Sequence, residues 1–143
     1  MTYESQEPDY TSDIVRDSGA GELPVFGYER LKVYKKAKAL RRRFSATAVV
    51  FPTHEKFNLT SQLQRASLSV VLNIVEGSTR LSGRDQARFT EVAYGSLLES
   101  FECVVDAEEA SYVSEGTSDG FRIDVDELAR MLNAYRNYQL SRS

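Results

Sequence analysis

The sequence predicts an all-α protein, an antiparallel up-down four-helix bundle. Three observations carry the prediction. Four successive stretches repeat apolar residues at helical spacing. Hardly any stretch alternates with the period of two that a half-buried strand requires, so strands are not expected. The breaks between the four stretches are short, which makes consecutive helices antiparallel neighbours. The 143 residues suit one domain. Their 41% hydrophobic and 27% charged content is that of a globular chain rather than a disordered or fibrous one.

Residues 1–24 precede the bundle. They hold Glu4, Glu7, Asp9, Asp13, Asp17 and Glu22 against Arg16, a net charge of −5. They end in Gly19, Ala20, Gly21 and Pro24, which break regular structure. A disordered or loosely docked acidic tail is expected, either simply solvated or masking a basic surface in the same assembly. Residues 25–143 are the bundle domain and carry +2, so the acidity of the whole chain belongs to the tail.

The first helix is expected over 28–49. Val33, Ala37, Leu40, Phe44 and Ala48 share one face, and Pro52 stops it. The second is expected over 61–80, with Thr60 or Ser61 as its cap and Ser61-x-x-Gln64 at capping-box spacing. Its core positions are Leu63, Ala66, Val70, Ile74 and Gly77. Leu68, Val71, Leu72 and Val75 add further apolar surface, as in a helix that is central or lies at a subunit contact. The third runs over 83–112 behind a Ser82 cap, with Phe89, Ala93, Leu97, Phe101 and Val104 inward. A polar loop follows over 114–120. The fourth starts at Asp124, with Asp124-x-x-Glu127 as its cap, and continues through Leu128, Met131, Leu132, Tyr135 and Tyr138. Small residues on the second helix (Ala66, Ser67, Gly77) and the third (Ala93, Gly95, Ser96) predict a close crossing, with Gly95 at the contact.

Several kinds of chemistry are excluded. A carboxylate di-iron site needs Glu-x-x-His on two helices, and the single histidine, His54, follows Thr53 in a loop. There is no Gly-x-Ser-x-Gly, Walker A or Gly-x-Gly-x-x-Gly. One cysteine, Cys103, rules out an intramolecular disulfide and a multi-cysteine zinc site, and packing is its expected role. No catalytic residue, metal site or cofactor is expected. Asn58-Leu59-Thr60 is formally a glycosylation sequon but reads more simply as the start of a helix. The longest uncharged apolar stretch, 66–75, is about half a bilayer span, and no apolar signal region precedes the bundle. The expectation is a cytoplasmic protein with no membrane contact.

Charge on the helices is segregated. The first helix carries a net +7 over 28–49. Lys32, Lys35, Lys36, Lys38, Arg42 and Arg43 fall on the side away from its apolar face, a stripe about 16 Å long. Such a stripe suits a phosphate backbone and is the candidate nucleic-acid-binding face, for RNA, DNA or a nucleic-acid-processing protein. On the third helix Glu91, Glu102, Asp106 and Glu109 fall together, with Glu99 at the edge. A basic and an acidic stripe on different helices also suit a heterologous contact between identical subunits, which closes into a ring when the rotation permits. The two uses compete for the same cations.

In the middle of the chain Ser69, Asn73, Glu76 and Arg80 follow 4, 3, 4 spacing and share one face. With Ser96 and Glu99 of the third helix they make a candidate structural polar network, in which Ser96 and Glu99 meet Asn73 or Arg80. A functional pocket on Glu76 and Glu99 is the alternative reading, with no nucleophile or cofactor loop to accompany it.

The run Gln62-x-x-Arg65-Ala66-x-x-Ser69-x-x-x-Asn73-Ile74-x-Glu76-Gly77-x-x-Arg80 is similar to the signature of the 23S rRNA intervening-sequence protein family. Phe89-x-x-x-Ala93-x-Gly95-Ser96-x-x-Glu99 resembles its third-helix motif. Leu31-x-Val33-Tyr34-x-x-Ala37-x-x-Leu40 and Phe51-Pro52-x-x-Glu55 resemble its first helix and following loop. The resemblance covers about 28–138, in order. It implies a bacterial, cytoplasmic four-helix bundle that assembles as a ring-shaped homopentamer, and it supplies no catalytic residues. The acidic tail, the long 114–120 loop and the near-neutral body are departures of this chain. Two functions are expected from all this. One is a non-enzymatic ring that binds nucleic acid or a nucleic-acid-processing partner through its first helix. The other is an assembly scaffold whose stripes pair between subunits.

Overall fold

The computed structural model describes residues 14, 15 and 23–142. Most of the acidic tail lies outside the described residues. Four helices follow one another: α1 (Lys32–Ala48), α2 (Leu59–Ser78), α3 (Gly83–Glu109) and α4 (Thr117–Ser141). Before them, two two-residue strands, β1 (Ile14–Val15) and β2 (Val25–Phe26), pair antiparallel, and a 3-10 turn spans Gly27–Arg30. This pairing is a correction to the expectation of no strands.

α1 packs on α2 and α4, and α3 packs on the same two, so α1 and α3 stand on a diagonal. Residue pairs fix the directions. Ser69 meets Ser96 and Gln62 meets Glu99 across α2–α3. Thr90 meets Gln139 and Ser118 meets Glu108 across α3–α4. Lys36 meets Glu127 and Arg43 meets Gly120 across α1–α4. Numbers rise on one helix as they fall on the other in each pair, so the helices of each of these pairs run antiparallel.

The core is one cluster. Val33, Ala37, Leu40, Phe44 and Ala48 of α1 meet Leu63, Val70 and Ile74 of α2, Ala93, Leu97 and Val104 of α3, and Phe121, Val125, Leu128 and Leu132 of α4. Each large aliphatic or aromatic side chain buried there contributes about 1.5–3 kcal/mol. Phe44 and Phe121 stack with centroids 4.6 Å apart.

The starts of α1, α2 and α4 differ from expectation. α1 starts at Lys32 rather than residue 28, because Leu31 takes an extended conformation and buries its side chain. α2 starts at Leu59, ahead of Thr60 and Ser61. Its cap is the Glu55 carboxylate, which accepts the Leu59 N–H at 3.1 Å and Asn58 Nδ2 at 3.0 Å. Ser82 caps α3 as expected, accepting the Asp85 N–H at 3.1 Å. α3 ends at Glu109, three residues early. α4 starts at Thr117, seven residues before Asp124, which is therefore no cap. Gly116 takes the left-handed turn at φ 92°, and the Ser118 N–H donates to the Glu108 carboxylate at 2.8 Å. Phe121 and Val125, one turn apart and both buried, hold the added segment on the core.

The close crossing is real but centred elsewhere. A β-carbon on Gly77 would meet Phe89, whereas one on Gly95 would meet nothing within 4 Å. Gly95 faces outward, about 160° around α3 from buried Leu97, so its placement at the contact is corrected.

Candidate functional site

The six cations of the α1 stripe do not form one continuous outward ridge. Lys36 and Arg43 lie on the flank against which α4 packs, where Phe121 stacks on Phe44. Lys36 Nζ donates to Asp124 Oδ1 at 2.7 Å and to Glu127 Oε2 at 3.2 Å. Arg43 donates through Nη1 to Asp124 Oδ2 at 2.7 Å and through Nη2 to the Gly120 carbonyl at 2.9 Å. Its guanidinium lies 4.4 Å over the Phe121 ring. Burial pulls the Lys36 ammonium down, but its hydrogen bonds to Asp124 and Glu127 outweigh that and hold its pKa above the ordinary lysine value. The hydrogen bond from Lys36 and the two nearby cations hold the Asp124 carboxyl below the usual range, against the effect of burial. Lys32 is exposed but has contacts of its own.

Lys35, Lys38 and Arg42 remain. They occupy a sector of about 60°, roughly opposite the Val33–Ala37–Leu40–Phe44 face. Among the described residues they form no ion pair. Exposed Ala39 and Ala46 run along one edge of the sector.

The acids of α3 divide in the same way. Glu91 accepts from Arg136 of α4 at 2.6 Å, and Glu99 accepts from Gln62 of α2. Glu102, Asp106 and Glu109 are exposed, span about 60° opposite Leu97 and Val104, and form no ion pair among the described residues. Exposed Leu98 flanks them.

These two trios have a specific relation. In each the first and last residues are seven positions apart, about 10 Å of helix. They sit on the diagonal pair of helices and so face opposite ways. They also sit at the same height. Lys36 is level with Asp124–Glu127 and Arg43 with Gly120, while the Thr90–Gln139 and Glu108–Ser118 pairs place that part of α4 beside about residues 101–107 of α3.

The polar constellation on α2 separates into three parts. Ser69 Oγ and Ser96 Oγ lie 2.9 Å apart across the helices, and Asn73 Nδ2 donates to the Ser69 carbonyl and hydroxyl at 2.8 and 3.0 Å. Arg80 pairs with Glu76 one turn back and stacks 4.7 Å over Phe89. The Arg80 carbonyl accepts Gln86 Nε2 at 2.9 Å. Glu99 meets Gln62, not Asn73 or Arg80, because it lies one turn of α3 beyond Ser96. The three parts fix helix register and hold no pair of facing carboxylates, so the Glu76/Glu99 pocket does not form.

Sequence reasoning missed two functional-looking groups. The Asp124-x-x-Glu127 spacing suits a cap, whereas in the fold both acids pair with Lys36 of α1. Glu55 joins distant segments: Tyr112 OH donates to its Oε1 at 3.0 Å, and His54 Nε2 lies 3.2 Å from the same hydroxyl. The N–H of Leu59 and the hydroxyl of Tyr112 hold the Glu55 carboxyl below its ordinary pKa. An open cleft of about 610 Å³ adjoins this group, lined by Thr47, Val50, Tyr112, Val113 and Thr117 among others, and no lining side chain is charged. Cys103 is buried; loss of solvation, then the acids Glu99, Asp106 and Glu102, push its pKa up to about 11. It is therefore a neutral thiol near pH 7, without the thiolate that nucleophilic chemistry needs.

Among the described residues no three His, Cys, Asp or Glu side chains come together as metal ligands, and no helix is long and apolar enough to cross a membrane. A comparison with curated proteins gives no match. Residues 29–134, which take in α1 to α3 and most of α4, match the 23S rRNA-intervening sequence proteins. The chain belongs to the 23S rRNA-intervening sequence protein family.

Proposed function

We propose that this protein is a non-catalytic assembly module. Identical subunits join head to tail, with Lys35, Lys38 and Arg42 of one α1 against Glu102, Asp106 and Glu109 of the next subunit's α3. The observation that carries this is the level placement of the two trios on opposite sides of the bundle. A contact joining different patches at equal height repeats without climbing, and it closes into a ring when each step also turns in the plane. Each exposed charge pair contributes only about 0.2–1 kcal/mol, so the charges set partner and register, while Leu98, Ala39 and Ala46 offer apolar contact beside them. The homopentamer implied by the family resemblance is one ring of this kind.

The test is charge reversal. Lys35/Lys38/Arg42→Glu should lower the mass of the assembly measured by sedimentation. Adding Glu102/Asp106/Glu109→Lys in the same chain should restore it. An assembly indifferent to the first change contradicts the reading.

A second reading has its own support. Three cations on one outward sector, free of ion pairs among the described residues, suit a nucleic-acid backbone, with RNA, DNA or a processing protein as partner. Three phosphate contacts give a salt slope of about −2 to −3 in log K against log salt. Binding of RNA or DNA with that slope, lost in Lys35/Lys38/Arg42→Glu, supports it. Salt-independent binding opposes it.

A further inference from the structure

The end of the described chain bears on the same α1 face. β1 pairs with β2 in the register Ile14↔Phe26 and Val15↔Val25. Because the pair is antiparallel, the chain preceding Ile14 departs from the Phe26 end of the hairpin, the end that leads into the 3-10 turn and α1. That end is anchored to α1 by rings. Phe26 stacks on Tyr28 at 6.2 Å, and Tyr28 meets Tyr34 of α1 edge-on at 5.1 Å. Tyr34 lies one turn before Lys38, on the neighbouring sector of the helix. Residues 1–13 carry Glu4, Glu7, Asp9 and Asp13 and no lysine, arginine or histidine. Thirteen residues reach at most about 43 Å, and α1 is about 25 Å long. The segment thus meets three conditions: it starts at the hairpin end whose rings reach Tyr34, one sector from the cations, is long enough to follow them, and has the opposite charge.

We propose that residues 1–13 are an acidic arm that covers Lys35, Lys38 and Arg42 of its own chain and is displaced when a neighbouring α3 docks there. The second half rests on the assembly reading above; the first half does not. A tether this short gives the arm a local concentration in the millimolar range or above. Weak ion pairing then suffices to compete with a neighbour's three carboxylates. Salt should loosen the arm, since the pairing is exposed and the Debye length is about 8 Å at physiological ionic strength.

The experiment uses the full chain, as a mixture of ¹⁵N-labelled and unlabelled protein, at a dilution where sedimentation shows the monomer. Carbodiimide joins a carboxylate to an amine only when they touch, and mass spectrometry then separates links within one chain from links between chains. Links from Glu4, Glu7, Asp9 or Asp13 to Lys35 or Lys38, within single chains and lost in 1 M salt, are expected. Absence of such links, with links to other lysines present, overturns the arm. A second variant, Glu4/Glu7/Asp9/Asp13→Gln/Gln/Asn/Asn, should tighten self-association on the order of tenfold. Links present with unchanged self-association leave the arm in place and contradict its competition with α3. Failure of the charge-reversal test instead overturns the assembly reading, whatever the links show.

Discussion

Gly77 of α2 lies against Phe89 of α3 so closely that a β-carbon added at Gly77 would stand 2.9 Å from the Phe89 Cβ. Nothing flexible is available to give way there, since both atoms sit at the root of their helices. Arg80 covers the same ring from one side, and its carbonyl takes the Gln86 amide. The Glu76-Gly77-x-x-Arg80 run is thereby explained as the packing code of one helix crossing.

Gly77→Ala should therefore destabilise the protein by about 1–3 kcal/mol through overpacking. Gly95→Ala should be neutral or stabilising by up to about 1 kcal/mol, because an exposed helical glycine gives way to a better helix former. Urea unfolding of the two variants checks the contrast. Equal effects would show that the crossing is placed wrongly.

Asp124 ties α1 to α4 through Lys36 and Arg43. Its folded pKa is depressed, so its stabilisation is complete above the unfolded value, about 4, and is lost as pH falls through the lower folded value. Lys36 has a raised folded pKa. Its share is complete below about 10.4 and is lost as pH rises through the folded value. Asp124→Asn should cost about 1 kcal/mol or less at pH 7, given the partial exposure of the pair. The gap in melting temperature between wild type and variant should narrow as pH falls below about 4. A gap that stays constant as pH falls below about 4 would contradict the assignment.

Ser69, Asn73 and Ser96 share hydrogen bonds in the α2–α3 seam. Ser69→Ala removes the hydroxyl that both other side chains bond, leaving Asn73 the carbonyl of residue 69, and Ser96→Ala removes only one bond. The first should cost about 1–2 kcal/mol and the second about 1 kcal/mol. Their double-mutant cycle should show coupling of about 0.5–1 kcal/mol. Additive losses would indicate that the two hydroxyls do not interact.

Much of the fold was legible because a helical wheel needs only local sequence. Every core position expected on α1 and α2 is buried, and Ser82 caps α3 because its partner is three residues away. What failed depended on residues distant in sequence. α4 begins early because Gly116 and Glu108 support it, though 114–120 looks like a loop. Lys36 and Arg43 belong to the charged stripe on the wheel, yet α4 brings Asp124 to both. Glu55 caps α2 from four residues away, but its bond to Tyr112 joins segments that no spacing pattern connects. Gly95 was a different failure, since its wheel position already set it apart from Leu97.

The most direct test of the central claim mixes two variants. One carries Lys35/Lys38/Arg42→Glu and the other Glu102/Asp106/Glu109→Lys. Each alone presents like charges at its would-be contact and should sediment as a monomer. Mixed in equal amounts, each supplies the face that the other lacks, and larger assemblies alternating between the two should appear. If either variant alone keeps the wild-type mass, or the mixture stays monomeric, the head-to-tail pairing of α1 with α3 is contradicted.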